Sequence, residues 1–149
     1  MTGEIFAVPC EHSLLGRTMK GNVGHAHCFK QGHDYATNKS VNNAGLLQQL
    51  FSVRTLALFN RRPAKGLHAY LSGLLIGYEI HAAPEAFDHA SGVTIITETV
   101  LANRYQRALG YSGISATIAD ENVTVIGLFR LAQAATLLQY KPTSNIMSS

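Results

Sequence analysis

At 149 residues the chain has the length of one ordinary domain, enough to bury roughly two-thirds of the surface its unfolded form exposes. Hydrophobic residues make up 46% and charged residues 14%, against about 25% charged in an average soluble domain, so disorder over the whole length is excluded and the surface is short of charge, as in a protein with an unmet partner. The net charge of +3 is scattered apart from the pair Arg61-Arg62, which argues against the concentrated cationic face of a nucleic-acid reader.

Cys10 and Cys28 make neither a CxxC pair nor a disulfide framework, and a reduced, cytoplasmic setting follows as the expectation. Glu4 stands where a signal peptide would carry lysines. The longest apolar stretch, Tyr70 to Ile80, falls far short of the roughly 20 residues of a membrane span and reads as a buried helix.

In chain order, Thr2 to Leu15 predicts a strained or broken first helix, because Pro9 removes a backbone donor. Gly16 to Asn43 is rich in glycine, histidine, lysine and asparagine without apolar periodicity and is expected to be irregular and mobile. From Ala44, Leu46, Leu47, Leu50, Phe51, Leu56 and Phe59 recur near the helical period, with Asn43 as N-cap and Asn60 as stop. A further helix starts near Pro63. Its buried face is Leu67, Leu71, Leu74, Leu75 and Tyr78, and Gly73 and Gly77 leave a groove for a neighbouring backbone or a ligand, close packing being the commoner use.

After a connection over Ala82 to Ser91, Val93 to Ile96 reads as a β-branched strand. Thr97 or Thr99 is placed to cap a helix running to about Leu109 and ended by Gly110. A second strand is expected near Ser115 to Ile118, then a helix from about Asn122 to Tyr140 capped by Asp120, closed by Lys141-Pro142 and followed by a frayed tail. Strand, helix, strand is a parallel βαβ unit in a helix-rich α/β fold. Two strands of four or five residues cannot make the doubly covered sheet that parallel strands require, so another chain or a larger protein has to complete it.

His25, His27, Cys28 and His33 offer metal-ligand chemistry but not the tight spacing of a structural zinc site, and no metal is expected. No GxxxxGK[ST], GxGxxG or GxSxG occurs. What remains is the helix start after Ile96, beyond the carboxyl end of a parallel strand, where α/β sheets bind ligands. Thr97, Glu98 and Thr99 stand there, with Glu98 set to repel a phosphate and the threonines as ordinary caps in the plainer reading. Among candidates for acid–base or anion-binding roles, Glu4 lies near the chain start and Arg54 inside an apolar helix, where snorkelling to solvent is the plain alternative.

At these residues the sequence resembles a family. Met1-Thr2-Gly3-Glu4-Ile5-Phe6-Ala7 with Glu11 to Gly16, then Leu50 to Thr55, Tyr70 to Gly77, Leu101 with Arg104-Tyr105, and Gly127 to Ala132 are similar, in order, to the second half of the 2-dehydro-3-deoxygalactonokinases. The family's upstream Asp-Trp-Gly phosphate loop and Pro-Gly-Thr-His motif are not in this sequence, so the resemblance implies a truncated second lobe of an actin-like, ribonuclease-H-like ATPase over residues 1–142, with 143–149 a disordered tail. The full enzyme so implied is a phosphotransferase moving the γ-phosphoryl of ATP, with Mg2+, to 2-dehydro-3-deoxy-D-galactonate in galactonate catabolism. This portion would contribute the nucleotide side through Ser72, Gly73, Gly77, Thr97, Glu98 and Thr99, with Glu4 and Arg54 as weak catalytic candidates. Thr97-Glu98 replaces a loop where the family commonly has glycine. The partners implied are ATP, the sugar acid and a separate N-terminal half or further copies of the chain; the alternative is a non-catalytic remnant that packs or oligomerises.

Overall fold

The computed structural model describes residues 2–20, 25–38, 45–83, 92–120 and 122–135. Helix α1 (Thr2–His12) is followed by a short 3-10 turn over Gly16–Thr18, then by α2 (Ala26–Thr37), α3 (Leu46–Leu58) and, after another 3-10 turn at Ala64–Gly66, by α4 (Leu67–Ala82). Strand β1 (Val93–Ile95), helix α5 (Thr99–Tyr111), strand β2 (Ala116–Ile118) and helix α6 (Val123–Ala134) complete the order. β1 and β2 run parallel, in the register Val93↔Ala116, Thr94↔Thr117 and Ile95↔Ile118, with α5 as the crossover between them.

The core is built around α4. Every described residue from Ala69 to Gly77 is buried, so the helix is enclosed and not merely striped, as expected for one that is apolar all round. α2 covers it most extensively, and α1, α3 and α5 cover the rest. The contact with α2 is made backbone to backbone: a Cβ on Gly73 would lie 2.0 Å from the Phe29 carbonyl oxygen, and one on Gly32 would lie 2.0 Å from that of Tyr70. Only glycine fits at either place.

α2 corrects the expectation of an irregular segment over Gly16 to Asn43. Its buried residues, Cys28, Phe29, Gly32, His33 and Ala36, do follow the helical period. Apart from Phe29 they are small or polar, so the period carries little hydrophobicity and is visible chiefly against the helix it packs on. His33 Nε2 lies 3.1 Å from Ser112 Oγ, tying α2 to the end of α5, while Lys30 and Asp34 pair at 2.7 Å on the outer face.

α1 corrects a second expectation, since it runs unbroken through Pro9. Pro9 costs the helix one amide donor, as it does anywhere beyond the first turn, and the chain nevertheless stays helical to His12, with Ser13 Oγ donating to the Pro9 carbonyl at 2.6 Å. Asn60 does end α3, with φ of +49°. Asn43 lies outside the described residues, and Gly45 occupies the start of that helix instead. α5 continues past Gly110 to Tyr111, and the left-handed residue after it is Gly113, with φ of +74°.

Among the described residues no helix is long and apolar enough to cross a membrane. The tail at 143–149 and the closing Lys141-Pro142 lie outside the description.

Candidate functional site

The two parallel strands and the two helices that follow them meet in a cleft of about 500 Å3 lined by Ile96, Thr97, Glu98, Thr99, Ala119, Asp120 and Thr124. This is the carboxyl end of the strands, where βα connections turn outward and leave room for a ligand. The structure therefore brings three of the residues singled out from the sequence, Thr97, Glu98 and Thr99, to one place and adds Asp120 and Thr124 from the other strand–helix junction.

The capping chemistry differs from the expectation of a threonine. Glu98 is the N-cap of α5, and its Oε1 accepts from the Leu101 amide at 3.0 Å, satisfying one of the four amides that a helix start leaves without partners. At the second junction Asp120 Oδ1 accepts from the Asn122 amide at 2.8 Å. Both carboxylates are exposed, and among the described residues the cleft lining contains no lysine or arginine. Its polar character is that of an acceptor of hydrogen bonds, suited to hydroxyl groups and opposed to phosphate.

A larger cavity, of about 650 Å3, lies along β1, with every residue from Gly92 to Thr97 in its wall and Ile80, Leu101, Leu109 and Ile114 making it largely apolar. At its rim, Thr2 and Tyr105 both donate their hydroxyl hydrogens to Glu79 Oε2, Tyr105 at 2.5 Å. Burial, then the hydrogen bond to Glu79 and the charge of that carboxylate, push the Tyr105 phenol up to about 12. This three-residue junction of α1, α4 and α5 was not read from the sequence. Its one signal is Glu79, an acid on an otherwise apolar helix, and its partners are 77 and 26 residues away in the chain.

The remaining candidates are dispersed. Gly73 and Gly77 face α2, whose Phe29 and His33 backbone fills the groove between them, so the groove holds a helix and is closed to a ligand. Ser72 is buried on α4 beside a small void of about 40 Å3. Glu4 is exposed on α1 and Arg54 half-buried on α3, and neither lines a cavity described above. Among the described residues no three His, Cys, Asp or Glu side chains gather where a metal could be held; Cys28 and His33 are turned into the core.

Against this geometry stand the comparisons with known proteins. Residues 1–131 match the model of the 2-keto-3-deoxy-galactonokinase family. The chain belongs to that family. It is 30% identical over 135 residues to the 2-dehydro-3-deoxygalactonokinase of Escherichia coli strain K12, a match covering 90% of this chain and 45% of the relative. It is also 32% identical over 139 residues to a probable 2-dehydro-3-deoxygalactonokinase of Rhizobium meliloti strain 1021, covering 90% of this chain and 44% of that one. Among solved structures it superposes on a provisionally assigned 2-dehydro-3-deoxygalactonokinase from Sinorhizobium meliloti with a TM-score of 0.72 at 27% identity, over all of this chain and 47% of that one. The chain thus spans a little under half the length of these relatives and corresponds to their C-terminal half.

Proposed function

We propose that the chain is the nucleotide-side portion of a 2-dehydro-3-deoxygalactonokinase, transferring the γ-phosphoryl of ATP to 2-dehydro-3-deoxy-D-galactonate when it is combined with the half that the relatives carry upstream. The observation that carries this reading is the family match over residues 1–131. Within it, the two-stranded parallel sheet and its helices are the remainder of a second lobe of actin-like type.

The cleft at the strand ends fits the nucleoside end of ATP. Glu98 and Asp120 can accept hydrogen bonds from sugar hydroxyls, and Thr97 and Thr124 can donate or accept. It does not fit a triphosphate, which two carboxylates without a neighbouring cation repel. The phosphates, and the Mg2+ that neutralises them when bound, then belong to the complementary half. Phosphoryl transfer is chiefly positioning and charge stabilisation, and it requires both lobes to close on the phosphates. In this division of labour the present chain orients the nucleoside and supplies one wall of the closed cleft.

The test is a phosphotransfer assay with ATP, Mg2+ and 2-dehydro-3-deoxy-D-galactonate on the purified chain, alone and co-expressed with the relatives' N-terminal half. Turnover only in the combined preparation is expected. Robust turnover by the chain alone would overturn the division of labour, and none in a stable complex would favour a non-catalytic packing module.

A further inference from the structure

His33 is a buried titratable group that the cleft at the strand ends does not use. It is 2% exposed on α2, and a histidine so enclosed is expected to have a partner at each ring nitrogen. Nδ1 lies 3.4 Å from Asp34 Oδ1 and Nε2 lies 3.1 Å from Ser112 Oγ. An ionised carboxylate only accepts, so in the neutral ring the proton sits on Nδ1, and Nε2 is left to accept the hydroxyl hydrogen of Ser112. Asp34 is held in place through its other oxygen, which takes Lys30 Nζ at 2.7 Å. Tyr111 packs on the imidazole in a T-shaped contact, with ring centroids 5.4 Å apart. Ser112 itself is exposed at the end of α5, and the chain turns away at Gly113 directly after it. A carboxylate that orients an imidazole, facing a serine open to solvent, is the order of groups that activates a hydroxyl for nucleophilic attack.

We propose that Ser112 is a nucleophile that takes an acyl group from small activated esters, with His33 as its general base and Asp34 as the positioning residue. In the step, Ser112 Oγ bonds to the carbonyl carbon and its proton passes to His33 Nε2. The bond to the leaving oxygen then breaks and the leaving group takes that proton from the imidazole, so the products are an acyl-serine and a free alcohol or phenol. The amides around Ser112 are already engaged: its own meets the Ala108 and Leu109 carbonyls, that of Gly113 the Gly110 carbonyl, and that of Ile114 the Leu109 carbonyl. None of the three is left to hold an oxyanion, a donor whose loss costs about 100- to 1,000-fold in rate. The site is therefore suited to slow, stoichiometric acylation and not to rapid hydrolysis. Ser112 lines none of the cavities described above, so it selects esters by reactivity and small size. The inference is independent of the kinase reading.

The test is reaction of the purified chain with p-nitrophenyl acetate, followed by the burst of p-nitrophenolate and by peptide mass spectrometry to place the acetyl group. A single acetyl on Ser112 is expected, formed about 100-fold or more faster than on the same serine in the urea-unfolded chain, the size of effect that a positioned general base supplies. Ser112→Ala is expected to abolish the burst, and His33→Gln to slow it by about the same factor. Asp34→Asn is expected to slow it about tenfold or more and, in nitrogen NMR of the imidazole, to shift the His33 proton from Nδ1 to Nε2, a change that a merely structural carboxylate would not produce. Equal rates at Ser112 in the folded and unfolded chain would overturn the proposal, as would acetylation confined to Lys30 or to a histidine, or an unchanged rate in Asp34→Asn with the tautomer reversed. The comparison of folded with unfolded chain uses the natural sequence alone, so it decides the matter even where His33→Gln does not fold.

Discussion

Helices α4 and α6 are both apolar, and their fates differ. Leu67, Leu71 and Leu74 of α4 have no accessible surface, whereas on α6 Val125, Leu128, Phe129 and Leu131 are each more than half exposed and no residue is buried. The same kind of side chain is enclosed by four helices in one place and left to water in the other. Burying a leucine or phenylalanine stabilises a fold by about 1.5–3 kcal/mol, so a helix that carries four such side chains unburied is suited to a surface that the described residues do not provide. The difference marks the boundary between what the described residues enclose and what they leave open.

Substitutions can break that comparison or sharpen it. The largest effect is expected at the α2–α4 crossing. Gly73→Val places a side chain against the Phe29 carbonyl with backbone on both sides, and a loss of about 4 kcal/mol or more in urea denaturation is expected; a loss below 1 kcal/mol would mean that the crossing is not close. Next, Leu71→Ala on the same helix removes a fully buried side chain and should cost about 2–5 kcal/mol in the same experiment. Its counterpart on α6, Leu128→Ser, should change the stability of the isolated chain by no more than about 0.5 kcal/mol. Equal costs for the two would show that α6 is covered in the chain alone.

An effect confined to high pH concerns the junction at Glu79. Tyr105 holds its proton more tightly when folded, near 12, than an unfolded tyrosine near 10. The stability it contributes is therefore complete below about pH 10 and lost as pH rises through about 12. Denaturation of Tyr105→Phe between pH 9 and 12 should show a shallower decline than the parent; an identical slope would remove Tyr105 from the linkage between α4 and α5.

Much of the fold was legible because its signals were local. α3, α4, both strands and α5 follow from hydrophobic period, β-branching and punctuation, and each lies within a few residues of the reading. The misreadings have one cause in common. α2 was missed because Gly32 and Ala36 contribute closeness and not hydrophobicity, and α1 was read as strained or broken because the donor lost at Pro9 was weighed without the contacts that α1 makes with α4. At the cleft, Thr97, Glu98 and Thr99 were found from their position after a strand, since a helix start beyond a parallel strand is a sequence-local feature. The roles of the glycines and of Glu79 depended on what stood opposite them.

The amino-acid sequence by itself determined the helix-rich α/β class, the parallel βαβ unit, the shortage of strands and the membership of the kinase family, because period, turn chemistry and ordered motifs are properties of neighbouring residues. Only the tertiary structure decided that Gly73 and Gly77 are closed over by α2, that Glu98 caps its own helix, and that β1 lines an apolar trough beside the start of α1. Those are facts about pairs of segments far apart in the chain, and contact, burial and hydrogen-bond direction exist only once the segments have met.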